Sequence, residues 1–527
     1  MKLVLLIVLS IFQLAEKQCP SLPKGMLEAV SFTNTQCHHL TDADYSIPAD
    51  DPTAMPRAYG MMGLVRDGKG YFRENLHTVS ELSGYSEQEI LDDPAVNVLA
   101  YAKACEKTAL QMGINSKAPE AWRPVIMALS ELPMGEKKDE LPMKMMLYSV
   151  YDHVGCNLKT IFGEDYALLS GTEVSLAKET DYPNAIWNPA AECNYEARTK
   201  EVSAVVIHYT EGSYAGCISW FQNCDAQVSA HYVIRSYDGQ VTQMVREKDK
   251  AWHARSANGY TIGVEHEAYG DIISFFTPEM YASSADLMRN ICSRYEAING
   301  YRTFCTDTLD DGTALDSGLH NLGGEGACIQ IRGHQHYPDQ SHTDPGPFWN
   351  WNYYYKLIND GTPATILGGP DMTEGDLNHE QYGNDERCIW VIRSDENTII
   401  NLEFSSFNLE TNYDFLWIYD GDNVFAPQLG RWNTMSPGVV TSSGNALCVE
   451  FRSDCLTTAD GWRAHWSVSH ESVSDEAFDL ESDDYEVAVF DMMGRMVKDD
   501  GSLSHGVYIV RSTRVSDGKA FVRRIIR

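Results

Sequence analysis

The chain has 527 residues, of which 43% are apolar and 22% are charged. At roughly 150 residues per domain, this length predicts about three or four folded units, and the composition is that of a folded protein rather than a disordered one. The formal net charge of −34 and the lack of any Lys/Arg-rich run argue against nucleic acid as a partner, because phosphate binding needs a basic surface.

Residues 1–18 have the features of a secretory signal peptide. Lys2 precedes a mostly apolar run at residues 3–12, which is too short to span a bilayer comfortably. No later segment has the roughly 18 uninterrupted apolar residues of a transmembrane helix, so we predict no integral membrane segment beyond the signal. The 13 cysteines of an exported chain predict disulfides, and their odd number leaves at least one thiol free or paired outside the chain.

Residues 19–170 are predicted to form an all-α unit, because apolar positions recur at three- and four-residue spacing in Ala95–Met112 and again in Leu141–Val154. The segment at 58–64, Ala-Tyr-Gly-Met-Met-Gly-Leu, resembles that of lysozyme-like domains. Lytic members of that fold need a glutamate as general acid before this segment, and residues 38–58 contain aspartates but no glutamate. The resemblance therefore implies a glycan-binding or packing domain, with an active muramidase as the alternative.

Residues 180–359 alternate strands and helices, which predicts an α/β domain with a mixed central sheet. His208 ends an apolar strand, at the sheet edge where α/β folds hold ligands. A second segment, at 333–347, is dense in imidazoles and carboxylates. A catalytic zinc takes three protein ligands and keeps a fourth position for water, and two histidines with one carboxylate satisfy that need. On position alone, a histidine such as His208 is more often a packed or capping residue than a metal ligand.

Strand alternation places Glu265 and Glu267 on one face of a third strand, where one of them would face the metal. Together these segments resemble the type-2 N-acetylmuramoyl-L-alanine amidases, relatives of the peptidoglycan-recognition proteins. The resemblance is carried by six ordered motifs: Asp181-Tyr182-Pro183, Val206-Ile207-His208, Ser229-Ala230-His231-Tyr232, Ala251-Trp252-His253-Ala254, Ile262-Gly263-Val264-Glu265 and Gly333-His334 through Thr343-Asp344-Pro345-Gly346.

The resemblance implies zinc-dependent cleavage of the amide bond between N-acetylmuramic acid and L-alanine in bacterial peptidoglycan or muropeptides. It implies that His208, His334 and Asp344 bind Zn2+ and that Glu265 is the catalytic acid or base. His342 stands where many members have lysine, and a protonated imidazole there would stabilise an oxyanion.

The remaining histidines of these motifs are given supporting roles. We expect His231 and His253 to orient strands or line the groove, and His266 and His336 to be solvent-exposed or to lie behind the metal ligands. Glu267 is expected to be structural. Disulfides are plausible between Cys217 and Cys224, between Cys305 and Cys328, and between Cys448 and Cys455.

Residues 369–470 read as a β-sandwich of short aromatic and β-branched strands. Tyr382-Gly383-Asn384, Cys388-Ile389-Trp390 and the run 413–421 resemble those of CUB domains. The resemblance implies that Glu410, Asp414 and Asp454 converge on Ca2+, a cation that prefers oxygen ligands. An acidic loop cluster without metal is the alternative.

Residues 472–527 are predicted to form one more small β unit. The segments 485–490 and 506–510, with Gly494-Arg495 and the basic end at Arg523-Arg524, resemble the sorting domain of the type IX secretion system of Bacteroidetes. The resemblance implies a secreted or cell-surface protein, exported through the periplasm, with type IX secretion machinery as a partner. An ordinary terminal β unit is the alternative.

Three functions fit these motifs: a peptidoglycan hydrolase, a non-catalytic peptidoglycan receptor on the same fold, and an adhesion protein centred on the CUB domain. The hydrolase is favoured because His208, His334 and Asp344 are all present together with Glu265. A receptor would usually lose part of such a set, and an adhesion role leaves it unexplained.

Overall fold

The computed structural model describes residues 2–135, 140–171, 180–270, 272–305, 321–369 and 371–470, followed by strands between residues 485 and 526. Contacts divide the chain into two compact units. The first unit comprises Met1–Ile298, Ser317–Ala327 and Ile331–Trp349, and the second comprises Asn299–Asp316, Cys328–Gln330 and Asn350–Arg527. None of the helices in the described part of the chain has the length and apolar content that crossing a membrane requires.

The first unit begins with the predicted helical region. Asp93 starts its longest inner helix by accepting hydrogen bonds from the backbone N–H groups of Ala95 and Val96, with Pro94 at the first helical position. The helices are α1 (Lys2–Gln18), α2 (Met26–Thr35), α3 (Asn75–Ser83), α4 (Glu87–Asp92), α5 (Pro94–Gln111), α6 (Arg123–Leu129), α7 (Glu140–Val154), α8 (Leu158–Phe162) and α9 (Asp165–Leu169).

The description of this region as all-α needs one correction. A short antiparallel hairpin, β1 (Ala58–Tyr59) and β2 (Leu64–Val65), lies between α2 and α3. Gly60 and Gly63 have φ angles of 69° and 66°, a left-handed conformation that glycine adopts without the steric cost of a Cβ atom, so they allow the chain to turn here.

The α/β region of the first unit contains the predicted mixed sheet. Its strands run in the order β10-β5-β9-β6-β7-β3, with β6 and β7 antiparallel and the other neighbours parallel. The elements are β3 (Ile186–Trp187), β4 (Tyr195–Ala197), β5 (Ala204–Tyr209), α10 (Tyr214–Phe221), β6 (Tyr232–Ile234), β7 (Val241–Gln243), β8 (Asp249–Ala251), β9 (Thr261–His266), α11 (Pro278–Arg294) and β10 (Ile331–Gly333). β4 pairs separately with β8.

β5 lies inside the sheet between β10 and β9, and every one of its residues is buried. This explains its uninterrupted apolar sequence. The helical region and the α/β region share one hydrophobic core, in which Tyr101 and Trp122 belong to the same cluster as Ile218 and Trp220 of α10. The carboxyl ends of β5, β9 and β10 meet at one edge of the sheet, and this edge carries the candidate site.

The second unit contains a β-sandwich. One sheet runs in the order β11-β13-β18-β15-β16 and the other in the order β12-β19-β14-β17. Its core is built around residues such as Leu416, Phe451 and Trp462. The elements are α12 (Trp351–Ile358), β11 (Ala364–Gly368), β12 (Glu374–Glu380), β13 (Arg387–Arg393), β14 (Thr398–Asn408), β15 (Phe415–Tyr419), β16 (Gln428–Trp432), β17 (Val439–Thr441), β18 (Ala446–Arg452) and β19 (Gly461–His470).

The last strands form an antiparallel sheet in the order β21-β20-β22-β23. They are β20 (Tyr485–Asp491), β21 (Met496–Val497), β22 (Val507–Arg514) and β23 (Ala520–Ile526). The acidic stretch before them and the Gly494-Arg495 segment lie outside the described residues. The assignment of residues 472–527 as a secretion sorting domain stays a prediction.

The disulfides differ from the three predicted pairs. Cys193 bonds to Cys224, with a Cα–Cα distance of 5.5 Å, and Cys328 bonds to Cys455, with a Cα–Cα distance of 5.6 Å. Cys217 in α10 and Cys448 in β18 are buried free cysteines, and their predicted partners Cys224 and Cys455 bond to other cysteines. Sequence proximity was a poor guide because helix and strand directions decide which thiols meet.

Candidate active site

Two histidines and one aspartate come together at the carboxyl edge of the mixed sheet. His208 lies near the end of β5, His334 follows β10 directly, and Asp344 lies in the following loop. Asp344 Oδ2 is 2.7 Å from His208 Nδ1, and its Oδ1 is 3.0 Å from His334 Nδ1. These three residues are only 3–4% exposed, and their potential ligand atoms lie within 4.8 Å of one another.

The far nitrogen of each histidine ring is held by a neighbouring side chain. His208 Nε2 lies 3.0 Å from His253 Nδ1, and His334 Nε2 lies 2.6 Å from Gln340 Oε1. Such partners orient metal-binding imidazoles and select the tautomer that leaves the other nitrogen free to bind the metal. The two Nδ1 atoms, which face Asp344, are thus the nitrogens free to bind a metal. A set of two nitrogens and a carboxylate fits zinc.

Within this trio of His208, His334 and Asp344, two residues have charge states that suit a cation. Burial lowers the pKa of His208 to about 4 against the opposing effect of Asp344, so this imidazole is neutral at neutral pH, as a metal ligand must be. Although burial alone would raise the pKa of Asp344, His334 and His208 beside it hold that pKa well below its ordinary value. Asp344 is therefore a carboxylate.

Glu265 stands beside this trio on β9, with its Oε2 atom buried and without a hydrogen-bond partner. Burial raises the pKa of Glu265 well above its ordinary value, and the nearby carboxylates Asp344 and Glu211 add to the effect. A carboxyl group with a raised pKa next to a reaction centre is suited to accept and return a proton.

The other predicted residues take separate positions. His342 lines the cavity that contains the trio, and its ring centroid is 5.0 Å from that of His334. His266 lies behind the trio, between the carbonyl of His208 and the hydroxyl of Ser284. The Nδ1 atoms of two further histidines accept backbone N–H groups: His231 from Gly263 and His336 from Gly333. Glu267 accepts the backbone N–H groups of Tyr214 and Ser236, as a structural residue would.

The trio lies in a cavity of about 400 Å³, and part of its wall comes from residues 45–57 of the helical region. Glu211 anchors this segment, because its carboxylate accepts the backbone N–H groups of Ser46 and Ile47 at 2.6 and 3.2 Å. Sequence reasoning missed Glu211, Gln340 and the 45–57 segment. No local motif marks these residues. Glu211 contacts a partner far away in the sequence, and Gln340 and most of the 45–57 segment lie outside helices and strands.

Comparison with known proteins identifies the family to which this region belongs. Residues 198–347 match the family model for N-acetylmuramoyl-L-alanine amidase. N-acetylmuramoyl-L-alanine amidase A of Achromobacter lyticus is 43% identical over 182 residues, which cover 34% of this chain and 97% of that relative. The chain belongs to the N-acetylmuramoyl-L-alanine amidase family. The predicted amidase is confirmed, and an adhesion protein centred on the CUB domain would not account for this match.

The β-sandwich of this amidase is a CUB domain, as predicted, since residues 374–466 match the CUB model. Human cubilin is 30% identical over 132 residues, which cover 24% of the amidase chain and 4% of cubilin. The Staphylococcus aureus hydrolase AmiA in complex with its ligand is 16% identical, with a TM-score of 0.23, over 31% of this chain and 77% of that chain. At that TM-score the likeness adds nothing to the assignment.

The CUB domain contains a cluster of three carboxylates, whose oxygen atoms lie within 4.8 Å of one another: Glu410, Asp414 and Asp454. Asp414 is fully buried and accepts hydrogen bonds from Tyr382 and from the backbone N–H of Asp454. Glu410 Oε2 is buried without a partner. Burial raises the pKa of both Glu410 and Asp414, with neighbouring carboxylates contributing.

Proposed function

We propose that this amidase uses zinc, bound by His208, His334 and Asp344, to hydrolyse the amide bond between N-acetylmuramic acid and L-alanine in peptidoglycan. The observation that carries the proposal is the convergence of two Nδ1 atoms and one carboxylate in a buried pocket, with each far Nε2 atom already held by a side chain. A zinc ion held by these residues would supply a Lewis acid for the scissile carbonyl and would activate water as a nucleophile at neutral pH.

The protein's own groups then manage protons and position. Glu265 accepts the proton of the attacking water and returns it to the departing amine, because its carboxyl lies beside the trio with an unpartnered oxygen. His342 donates towards the oxyanion that develops on the carbonyl. Arg255, exposed on the cavity wall, offers a guanidinium to a stem-peptide carboxylate.

The zinc proposal is tested with the full-length protein and defined muropeptides, before chelation, after chelation and after zinc is restored. We expect intact stem peptides with an N-terminal alanine, identified by mass, only when zinc is present. Equal release with and without chelator would overturn the zinc requirement. Cleaved glycan strands would instead assign a muramidase activity to the helical region.

Substitutions assign that activity to the trio. His334→Ala should abolish peptide release even at saturating zinc, because one of three ligands is lost. The matched control is His77→Ala, which changes a histidine of α3 that is 64% exposed and should leave the rate unchanged. Full activity in the His334 variant would remove this residue from the proposed ligand set.

We also propose that Glu410, Asp414 and Asp454 bind Ca2+ in the CUB domain. Burial raises the pKa of Glu410 and of Asp414, and repulsion from the neighbouring carboxylates of this cluster raises it further. A hard divalent cation relieves this repulsion through oxygen ligands. Calcium should raise the thermal unfolding temperature of the wild-type protein and leave that of Asp414→Asn unchanged. An equal shift in both would overturn the assignment.

We further propose that the protein is exported, with residues 1–18 as signal peptide and 472–527 as a type IX sorting domain in a Bacteroidetes-type host. Two disulfides favour an oxidising compartment. Expression in such a host should place the protein in the medium or at the cell surface, and deletion of 472–527 should retain it in the periplasm. Unchanged secretion of the truncated protein would contradict the sorting role.

A further inference from the structure

The CUB domain contains a second cluster of ligand atoms, which the amidase reaction does not use. His379 lies on β12, Cys388 on β13, and Glu386 immediately before β13. His379 Nε2 is 2.7 Å from Glu386 Oε2, and Cys388 Sγ is 4.0 Å from that nitrogen and 3.9 Å from that oxygen. A nitrogen, an oxygen and a sulfur atom thus form one small triangle.

The size of this triangle suits a tetrahedral zinc ion. With bonds of about 2.0 Å to nitrogen and oxygen and about 2.3 Å to sulfur, tetrahedral ligands lie about 3.3 Å apart for N and O and about 3.5 Å apart for either atom and S. The observed edges are 2.7, 4.0 and 3.9 Å. Each atom therefore needs to move by only about half an ångström to bind the ion.

Neighbouring groups hold two of the three side chains in place. The other oxygen of Glu386 accepts the backbone N–H of Gly383 at 2.6 Å, which leaves Oε2 directed at the cluster. The His379 ring packs against aromatic rings on its other sides, with centroid distances of 5.1–5.2 Å to Trp390, Phe451 and Trp462. Supported ligands of this kind lose little side-chain freedom on binding a metal.

The chemistry of Cys388 argues against a reactive thiol at this position. Burial and the adjacent Glu386 raise the pKa of Cys388 to about 11, so without a cation the group stays a protonated, weakly nucleophilic thiol. Cys388 forms no disulfide with another cysteine in the described part of the chain. Sulfur and imidazole ligands select zinc-like cations over calcium and magnesium.

We propose that His379, Glu386 and Cys388 form a binding site for a zinc-class cation, with water as the fourth ligand. β12 belongs to one sheet of the sandwich and β13 to the other, so the bound ion joins the two sheets. Binding releases the thiol proton to solvent and stabilises the folded CUB domain by mass action. This site is separate from the amidase trio and from the proposed calcium ligands.

Cobalt substitution of the full-length protein tests this site directly, since only a thiolate ligand gives a near-ultraviolet sulfur-to-cobalt charge-transfer band. The amidase trio contains no cysteine, so the band reports the CUB cluster even if the amidase zinc proposal fails. We expect the band in the wild-type protein, its loss in Cys388→Ser, and its persistence in the matched control Cys448→Ser, a buried free cysteine of the same domain. Zinc content should fall by about one ion per chain in Cys388→Ser.

His379→Gln gives an independent check, because it keeps the thiol and removes one ligand. The zinc affinity of the CUB cluster should fall by more than about 100-fold, because loss of a side chain that only supports a ligand already costs about 10–100-fold. Amidase activity should stay unchanged. A cobalt-loaded wild-type protein without the band, or a band that persists in Cys388→Ser, would overturn the proposal. The wild-type result decides even if a variant fails to fold.

Discussion

Glu265 lies directly opposite His208, because β9 and β5 pair in parallel with these two residues in register. Side chains at paired positions of neighbouring parallel strands point to the same face of a sheet. Strand pairing alone therefore places the proposed proton acceptor, Glu265, beside the proposed metal ligand, His208.

Glu265→Gln tests this relationship, because it keeps the shape of the side chain and removes its ability to accept a proton. We expect kcat to fall about 10²–10⁴-fold, the range for loss of a general acid–base group. Zinc content, measured by metal analysis, should stay unchanged. Parallel loss of zinc and activity would instead make Glu265 a metal ligand.

Gly263→Ala should weaken zinc binding through His253. A Cβ at position 263 would lie 2.5 Å from Cγ of the His253 ring, so the ring must move away from His208. Loss of such an outer partner costs about 10–100-fold in metal affinity, and excess zinc should restore most of the activity. The matched control is Gly259→Ala, whose Cβ would meet only the flexible Lys200 side chain, at 3.3 Å and beyond. Equal zinc affinities for the two variants would contradict the role of His253.

Glu211→Gln should change how stability depends on pH. Burial raises the pKa of Glu211 from 4.5 to about 6, so the folded protein binds this proton more tightly than the unfolded chain does. The contribution of Glu211 to the free energy of unfolding is therefore complete below pH 4.5 and declines by about 2 kcal/mol as the pH rises through 6.

The glutamine of the variant does not titrate, so the variant does not undergo this loss. Its stability relative to that of the wild type should therefore increase as the pH rises from 4.5 through about 6. Urea unfolding of both proteins at matched zinc and several pH values measures the difference. A difference that is independent of pH would refute the raised pKa of Glu211.

His342→Lys should move the alkaline limit of activity. Burial lowers the pKa of His342 from 6.5, so a donor that depends on the protonated imidazole is lost as the pH rises through a value below 6.5. Lysine keeps its proton to a higher pH, and its kcat should therefore decline at a more alkaline pH than that of the wild type. Superimposable pH profiles for the two proteins would exclude His342 as the charged donor.

Much of the site was predictable from short segments of sequence. The uninterrupted apolar residues of β5 indicate an inner strand, and a polar residue at the end of such a strand is placed at the sheet edge. His208 follows from that rule, and the density of ligand side chains at 333–347 indicates a second ligand segment, within which the family resemblance singles out His334 and Asp344. The CUB strands were predictable for a similar reason, since period-two patterns reflect local backbone geometry.

The rest depended on contacts between distant segments. Glu211 binds Ser46 across 165 positions, and nothing near either residue marks the pair. The disulfide between Cys328 and Cys455 spans 127 positions, whereas the predicted pairs joined cysteines nearer in sequence. The His379, Glu386 and Cys388 cluster lies within a short stretch of sequence, but its side chains meet only because two sheets pack face to face.

The sequence by itself determined the residue types of the proposed metal site, their order along the chain and the inner strand that carries His208, because side-chain chemistry and strand periodicity are local properties. Only the tertiary structure decided which nitrogen of each histidine faces Asp344, which side chains hold the opposite nitrogens, and which segment of the helical region walls the cavity. These depend on distances of a few ångströms between residues far apart in the chain, which packing sets and sequence spacing does not.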